Sequence, residues 1–131
     1  MFITPAARKA HLKLGKFGEN TAVELLKYKG YCILARNFRL KSGELDIVAL
    51  DGVTIVFIEV KTLRQIPGYT PACNLSLKQM RRNRATGRLY LTLFGIPENR
   101  HRYDLIEITV ARNNPRKLVN IVHHLDIFPC K

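Results

Sequence analysis

A chain of 131 residues with 47% hydrophobic content is long enough to bury a core of its own, and its composition excludes a disordered polypeptide. Twenty-two Lys and Arg against ten Asp and Glu leave a formal charge of +12, a self-repulsion usually kept only where an anionic partner is met, and nucleic acid leads that class. A membrane surface would call for a basic amphipathic helix with large apolar residues on its other face, or a lipidation signal, and neither is found.

Thr4 before Pro5 reads as a helix N-cap with proline at the first helical position, and the helical pattern runs, with a candidate break at Gly15, to a stop at Gly30. Within it Glu19 shares the spacing i, i+3, i+4, i+7 with Ala22, Val23 and Leu26, so it lies on the apolar stripe and points inward. Gly15 and Gly18 beside it leave room for a close approach to a sheet or to a phosphate backbone. Residues 31–36 favour a strand, and the basic segment 37–41 leads into a turn at Ser42-Gly43. Two more strands, at about residues 44–50 and 53–62, are joined by Asp51-Gly52, a strong hairpin signal because a type I′ turn needs positive φ at both central positions. Residues 63–74, with Pro67, Gly68 and Pro71, read as a loop, and Ser76 caps a second helix reaching about Leu93. Beyond Pro97, residues 103–110 and 118–125 read as two strands separated by the turn Asn113-Asn114-Pro115.

Cys32, Cys73 and Cys130 are widely spaced, odd in number and lack any C-x-x-C pair, so neither a disulfide framework nor a zinc knuckle is expected, and Cys32 reads as a small core residue. Residues 1–14 scatter their apolar side chains among Arg8, Lys9, His11 and Lys13, which leaves no signal-peptide core. A reducing compartment, the cytoplasm, is the expected location.

With a two-residue loop at Asp51-Gly52, Leu50 faces Val53, Asp46 faces Phe57 and Glu44 faces Glu59. Asp46 then shares a sheet face with Glu59 and Lys61, and Asp46 and Glu59 become diagonal neighbours with Cα atoms roughly 7–8 Å apart. Two like charges at that separation repel by about 2.4 kcal/mol at an effective dielectric of roughly 20, so something positive must offset them. Either Lys61 does so as a structural ion pair, or a hard divalent cation with oxygen ligands sits between the carboxylates of Asp46 and Glu59, as Mg²⁺ prefers. The second arrangement carries chemistry: a carboxylate-held metal polarises a phosphate and lowers the pKa of a bound water, while a lysine orients that water. Glu19 supplies a third carboxylate for the same ion or braces one of its ligands.

The stretches Gly18-Glu19, Asn37-Phe38-Arg39, Gly43-Glu44-Leu45-Asp46-Ile47-Val48 and Val56-Phe57-Ile58-Glu59-Val60-Lys61 resemble the YraN family of bacterial proteins. Weaker matches at Lys78, at Arg102-Tyr103-Asp104 and in residues 124–128 extend the resemblance over nearly the whole chain. That family is similar to the PD-(D/E)xK nucleases, near the archaeal type of Holliday-junction resolvase. The resemblance implies one nuclease-like domain over residues 1–131: an α/β fold with a restriction-endonuclease-like core, a central mixed β-sheet of about five strands flanked by helices, in the order α-β-β-β-α-β-β. It implies Glu19, Asp46, Glu59 and Lys61 as the active-site set, with Mg²⁺ or Mn²⁺ held by Asp46 and Glu59 and no organic cofactor. Leu45, rather than the proline of the superfamily motif, precedes Asp46.

Lys78, Arg81, Arg82, Arg84 and Arg88 cover an arc of roughly 160° on the second helix, a spread of cations without acids that suits phosphate binding. Arg36, Arg39, Lys41 and Arg64 bracket the proposed site and are placed to hold the backbone of a bound strand, and Lys16 and Arg8 extend the same surface. Glu44 sits at a strand start, where solvent or Arg39 is its expected neighbour. His123 and His124, adjacent on a strand, point to opposite faces and read as structural, and Arg102 with Asp104 reads as an ion pair.

The expected function is a Mg²⁺- or Mn²⁺-dependent endonuclease acting on DNA, read by shape and backbone, on branched or damaged structures. Symmetric cutting of two strands would require a homodimer with a two-fold axis, which nothing in the sequence specifies. The rival reading is a nucleic-acid-binding or accessory protein that keeps the nuclease fold without catalysis, and a ribosome-associated RNA binder, resting on charge alone, ranks last.

Overall fold

The computed structural model describes residues 4–68 and 75–128. Helix α1 (Pro5–Tyr28) begins where Thr4 Oγ1 accepts the Ala7 N–H at 3.1 Å, and it closes where the Tyr31 N–H donates to the Leu26 carbonyl at 2.9 Å. It runs unbroken through Gly15, because a single glycine costs a helix only about 1 kcal/mol, which the packing of the following turns offsets. Three strands follow, β1 (Cys32–Leu40), β2 (Gly43–Asp51) and β3 (Thr54–Arg64), then helix α2 (Leu77–Leu93), capped by Ser76 Oγ on the Gln79 N–H at 3.1 Å. A 3-10 turn (Glu98–Arg100) leads into β4 (His101–Ala111) and β5 (Asn114–His124). No helix is long and apolar enough to cross a membrane among the described residues.

The element order is the expected one, and the strands form one mixed sheet in the order β1-β2-β3-β4-β5. All neighbours are antiparallel except β3 and β4, which are parallel, as a crossover through α2 requires. α1 covers one face, packing Ala22, Val23 and Leu26 on Ile47, Val56 and Ile106. α2 covers the other, with Tyr90 and Leu91 against Val48, Phe57 and Tyr103.

Three boundaries differ from the sequence reading. β1 continues through the basic segment to Leu40, and the turn into β2 moves back to Lys41-Ser42, where Ser42 Oγ lies 2.8 Å from Thr86 Oγ1 of α2. β3 continues to Arg64, so the connection to α2 starts later than expected, while Pro71, Cys73 and Cys130 lie outside the described residues. β5 begins at Asn114, with Arg112 and Asn113 as the turn. Cys32 is exposed rather than in the core, because it starts an edge strand whose side chains alternate between solvent and the sheet's packed surface.

The β2–β3 turn sets which residues of the two strands face each other. Its loop is Gly52-Val53, with Asp51 paired to Thr54, and Gly52 alone takes positive φ (62°). A glycine at the first loop position satisfies a II′-like turn unaided, whereas a type I′ turn at Asp51-Gly52 would force Asp51 to positive φ. Asp51 instead stays in the strand, where its carboxylate accepts from Arg102 at 3.1 Å. The pairing therefore moves by two residues from the expected register, which preserves which side chains share a face.

Gly18 is where α1 meets the sheet. A Cβ built there would lie 1.7 Å from Thr62 Oγ1 and 2.9 Å from Thr62 Cβ, whereas Gly15 has nothing within 4 Å, so the close approach belongs to Gly18 alone. Gly18→Ala is expected to push α1 off β3 and destabilise the protein by about 1–3 kcal/mol, a thermal midpoint lower by roughly 5–10 °C. Gly15→Ala should leave the midpoint unchanged or raise it slightly, and equal effects at the two glycines would contradict this packing.

Candidate active site

The last regular pair between β2 and β3 is Ile47 with Ile58, and the next rung in that register joins Asp46 and Glu59. Continued past the point where the ladder stops, that register would set them opposite each other, where the sequence reading set them diagonally. The ladder opens here: Asp46 Oδ2, instead of a backbone carbonyl, accepts the Val60 N–H at 2.9 Å. Alternation in β2 slips at the same point, since Leu45 and Val48 pack on the α2 face while Ile47 and Ala49 pack on the α1 face. In β1 the residue opposite is Asn37, whose φ of 52° breaks alternation so that Arg36 and Asn37, consecutive in sequence, both donate to Glu19.

Glu19 accordingly does point inward from α1, at the mouth of the opened strands. Its Oε1 accepts from Asn37 Nδ2 at 2.9 Å and Arg36 at 3.2 Å, and Arg36 also donates to Asn20 at 2.7 Å. Glu59 leans toward α2, with Asn83 Nδ2 at a long 3.5 Å from its Oε1, and Asn83 is itself oriented by Gln79 Nε2 at 3.1 Å. Lys61, half-buried, follows two residues later on the same face of β3, beside Glu107 in the parallel register of β4. Glu107 is fully buried and lies 2.7 Å from His124 Nε2. Glu19, Asp46 and Glu59 share an open groove of about 870 Å³ with Lys16, Asn20 and Arg36.

Burial is the largest influence on both central carboxyls. It pushes Asp46 up to about 6 against the downward pull of the Val60 N–H, with Glu19 and Glu44 adding to the rise. It pushes Glu59 up to about 8, and the charge on Asp46 adds to that. Glu59 is pushed further up than Asp46, so a proton held between the two carboxyls would rest on Glu59.

That pair is of a chemistry that could hold a hard divalent cation. The donors are carboxylate oxygens, they repel each other when ionised, and a cation between them would offset that repulsion as a proton does. Among the described residues no three His, Cys, Asp or Glu side chains close on one point. An all-protein cage is not required, because Mg²⁺ is ordinarily held by one or two carboxylates, with water and substrate phosphate completing its shell.

Of the cations singled out from the sequence, Arg36 is engaged by Glu19, and Arg39 by Glu44 at 2.9 Å, the partner expected for Glu44. Arg64 donates to the Arg112 carbonyl at 3.1 Å, at the far end of β3. Lys78, Arg81, Arg82 and Arg88 are all exposed, opposite the buried face of α2 formed by Asn83, Thr86, Gly87, Tyr90 and Leu91. Arg88 lies 3.9 Å from Glu98, and Arg84 sits over the Phe128 ring at 5.6 Å, which ties down the C-terminal half of that arc. Lys41 is exposed in the β1–β2 turn, next to the N-terminal half of α2, where Arg82 packs close to Gly43. His123 and His124 take structural partners on opposite faces: His123 Nε2 is 2.8 Å from Asp104, which also accepts from Arg102 at 3.1 Å, and His124 meets Glu107.

Sequence reasoning missed Asn83 and Asn37. Asn83 leaves a signal, a polar residue on the same helical stripe as the buried Thr86 and Tyr90, whereas Asn37, quoted only within a matching stretch, leaves the weaker one that asparagine tolerates positive φ. Asn37→Gly should keep the positive φ and lose only the bond to Glu19, while Asn37→Ala also strains the backbone by roughly 1–2 kcal/mol. Thermal melts should therefore rank native, Gly, Ala in falling order; Ala equal to Gly would show that the kink carries no strain.

A family model described as "Uncharacterised protein family UPF0102" matches residues 18–108, a span that contains Glu19, Asp46, Glu59 and Lys61. A UPF0102 protein of Caldicellulosiruptor saccharolyticus is 36% identical over 110 residues, covering 84% of this chain and 93% of its own. One from Symbiobacterium thermophilum is 40% identical over 96 residues, covering 73% and 81%, and one from Clostridium botulinum is 37% identical over 110 residues, covering 83% and 89%.

Proposed function

The chain belongs to the uncharacterised protein family UPF0102, and from that premise we propose that it is a Mg²⁺- or Mn²⁺-dependent DNA endonuclease of the PD-(D/E)xK, restriction-endonuclease-like class. One observation carries the reading: Asp46 and Glu59 line one groove just beyond the last β2–β3 pair, with Glu19 at the same groove and Lys61 two residues on. A sheet that only needed a hydrophobic edge would not place two acids side by side, since taking like charges from water together is costly.

Asp46 and Glu59 would hold the ion. When bound, the ion would polarise the scissile phosphate and make a bound water acidic enough to attack at neutral pH. Asp46 is aimed into the groove by the Val60 N–H, which fixes the carboxylate without consuming both of its oxygens. Glu19, held by Arg36 and Asn37, adds negative charge beside Asp46 and so favours cation binding there. Lys61 is placed to orient the attacking water or to stabilise charge on the phosphate as it develops. The backbone of the substrate meets exposed cations around the groove and on the N-terminal half of α2, so affinity should be set by salt and by shape more than by base sequence.

The test is cleavage of end-labelled linear, flapped and four-way-junction DNA by the purified chain with Mg²⁺ or Mn²⁺, against an EDTA control and an RNA duplex. Metal-dependent products with a preference among the DNA structures support the reading. Tight DNA binding with no cutting in either metal would instead favour a non-catalytic module that keeps the site's geometry.

A further inference from the structure

The groove at Asp46 and Glu59 does not end at Glu19. It passes Asn20 and Lys16 on α1, and these two residues also open a second hollow of about 710 Å³, which continues between α1 and the start of β5 past Lys13, Phe17 and Arg116. We propose that this joined groove is the track along which one strand of the nucleic acid leaves the site, with Lys13, Lys16 and Arg116 gripping its phosphates. The proposal rests on the reading of the chain as DNA-directed, and it carries the binding surface, which the sequence reading extends to Lys16, along α1 to Lys13 and across to Arg116.

Three observations carry it. The second hollow is lined by three cations and no acid, so its charge suits a polyanion and little else. Lys13, Lys16 and Asn20 follow one another at i, i+3 and i+7, which sets them on one side of α1 over a rise of about 10.5 Å, a length in which one strand of B-form DNA presents roughly three phosphates. These cations are also available. Among the described residues no hydrogen bond or ion pair engages the Lys13, Lys16 or Arg116 side chains, whereas Arg36, Arg39, Arg64 and Arg88 all have partners within the protein. Arg116 is further held at the rim by its own backbone N–H, which donates to Asn114 Oδ1 at 3.1 Å. The track is continuous with the site through Asn20, whose side-chain oxygen accepts from the same Arg36 that holds Glu19.

The experiment measures anisotropy of a fluorescein-labelled flapped DNA duplex in EDTA, so that no cutting intervenes, from 50 to 300 mM KCl. The wild type is compared with Lys13→Gln/Lys16→Gln/Arg116→Gln and with a control, Lys27→Gln/Arg100→Gln, whose exposed cations lie outside both hollows. The groove variant is expected to flatten the log–log salt slope by about 2 to 3 and to weaken binding at least tenfold at 100 mM, and the control to move the slope by less than about 1. All three positions are exposed, so circular-dichroism melts of the variants should superimpose on the wild type. A groove variant with the wild-type slope and affinity overturns the track while leaving the DNA reading intact. A wild type that fails to bind DNA even at 50 mM overturns both.

Discussion

Glu59→Gln abolishes metal-dependent cutting while leaving DNA binding in EDTA within about twofold of wild type: that is the expected result, with a rate loss of roughly a thousandfold or more. Glu59 is one of two carboxylates on the opened rung, and glutamine keeps its shape and the Asn83 contact while removing the charge that would hold a cation. Asp46→Asn should do the same, and the double variant should be little worse than either single one, because two ligands of one ion act as a unit. Lys61→Ala should reduce the rate without weakening Mg²⁺ binding, which separates a role at the water from one at the metal. If Glu59→Gln cuts as fast as wild type, the rung is structural and any nuclease activity lies elsewhere.

Much of this site was legible before any fold was known, and the reasons are physical. Strand alternation, with period two, survives a change of register by two residues, so setting Asp46 near Glu59 does not depend on where the turn falls, although the slip at Asp46 means that the groove they share is not read from alternation alone. The helical stripe of Ala22, Val23 and Leu26 put Glu19 inward because burial on α1 follows the 3.6-residue repeat without interruption. What could not be read was the kink at Asn37 and the slip at Asp46. Both break the repeat on which such reading depends. The surroundings of the cations escape such reading for a similar reason. A helical wheel identifies the exposed arc of α2 but not that Arg84 and Arg88 are occupied within the fold, nor that Lys13 and Lys16 meet Arg116 across a groove.

The same rung makes the protein's stability depend on pH and metal in an unusual direction. A buried carboxyl whose pKa is raised on folding binds its proton more tightly in the native state, so its contribution is full below the unfolded value of about 4 and is lost as pH climbs through the folded value. With Asp46 at about 6 and Glu59 at about 8, the metal-free protein should lose stability between pH 5 and pH 8, by an amount of the order of a few kcal/mol. Asp104, held low by His123, the Asp126 N–H and Arg102 despite its burial, acts in the opposite sense but only below its unfolded value, outside this window. Glu59→Gln removes the larger part, so it should melt close to wild type at pH 5 and several degrees higher at pH 8, a mutation that stabilises the fold by disabling the site. Mg²⁺ should do for the wild type what the mutation does: if it binds with a Kd near ~1 mM, 10 mM adds about 1.4 kcal/mol at pH 8, and less at pH 5, where protons compete for the same oxygens. Thermal melts of both proteins at the two pH values, with and without Mg²⁺, give the answer without any assay of cutting. A wild type whose pH slope matches that of Glu59→Gln, or a variant that Mg²⁺ stabilises as much as wild type, would mean that these carboxyls neither share a proton nor receive the ion.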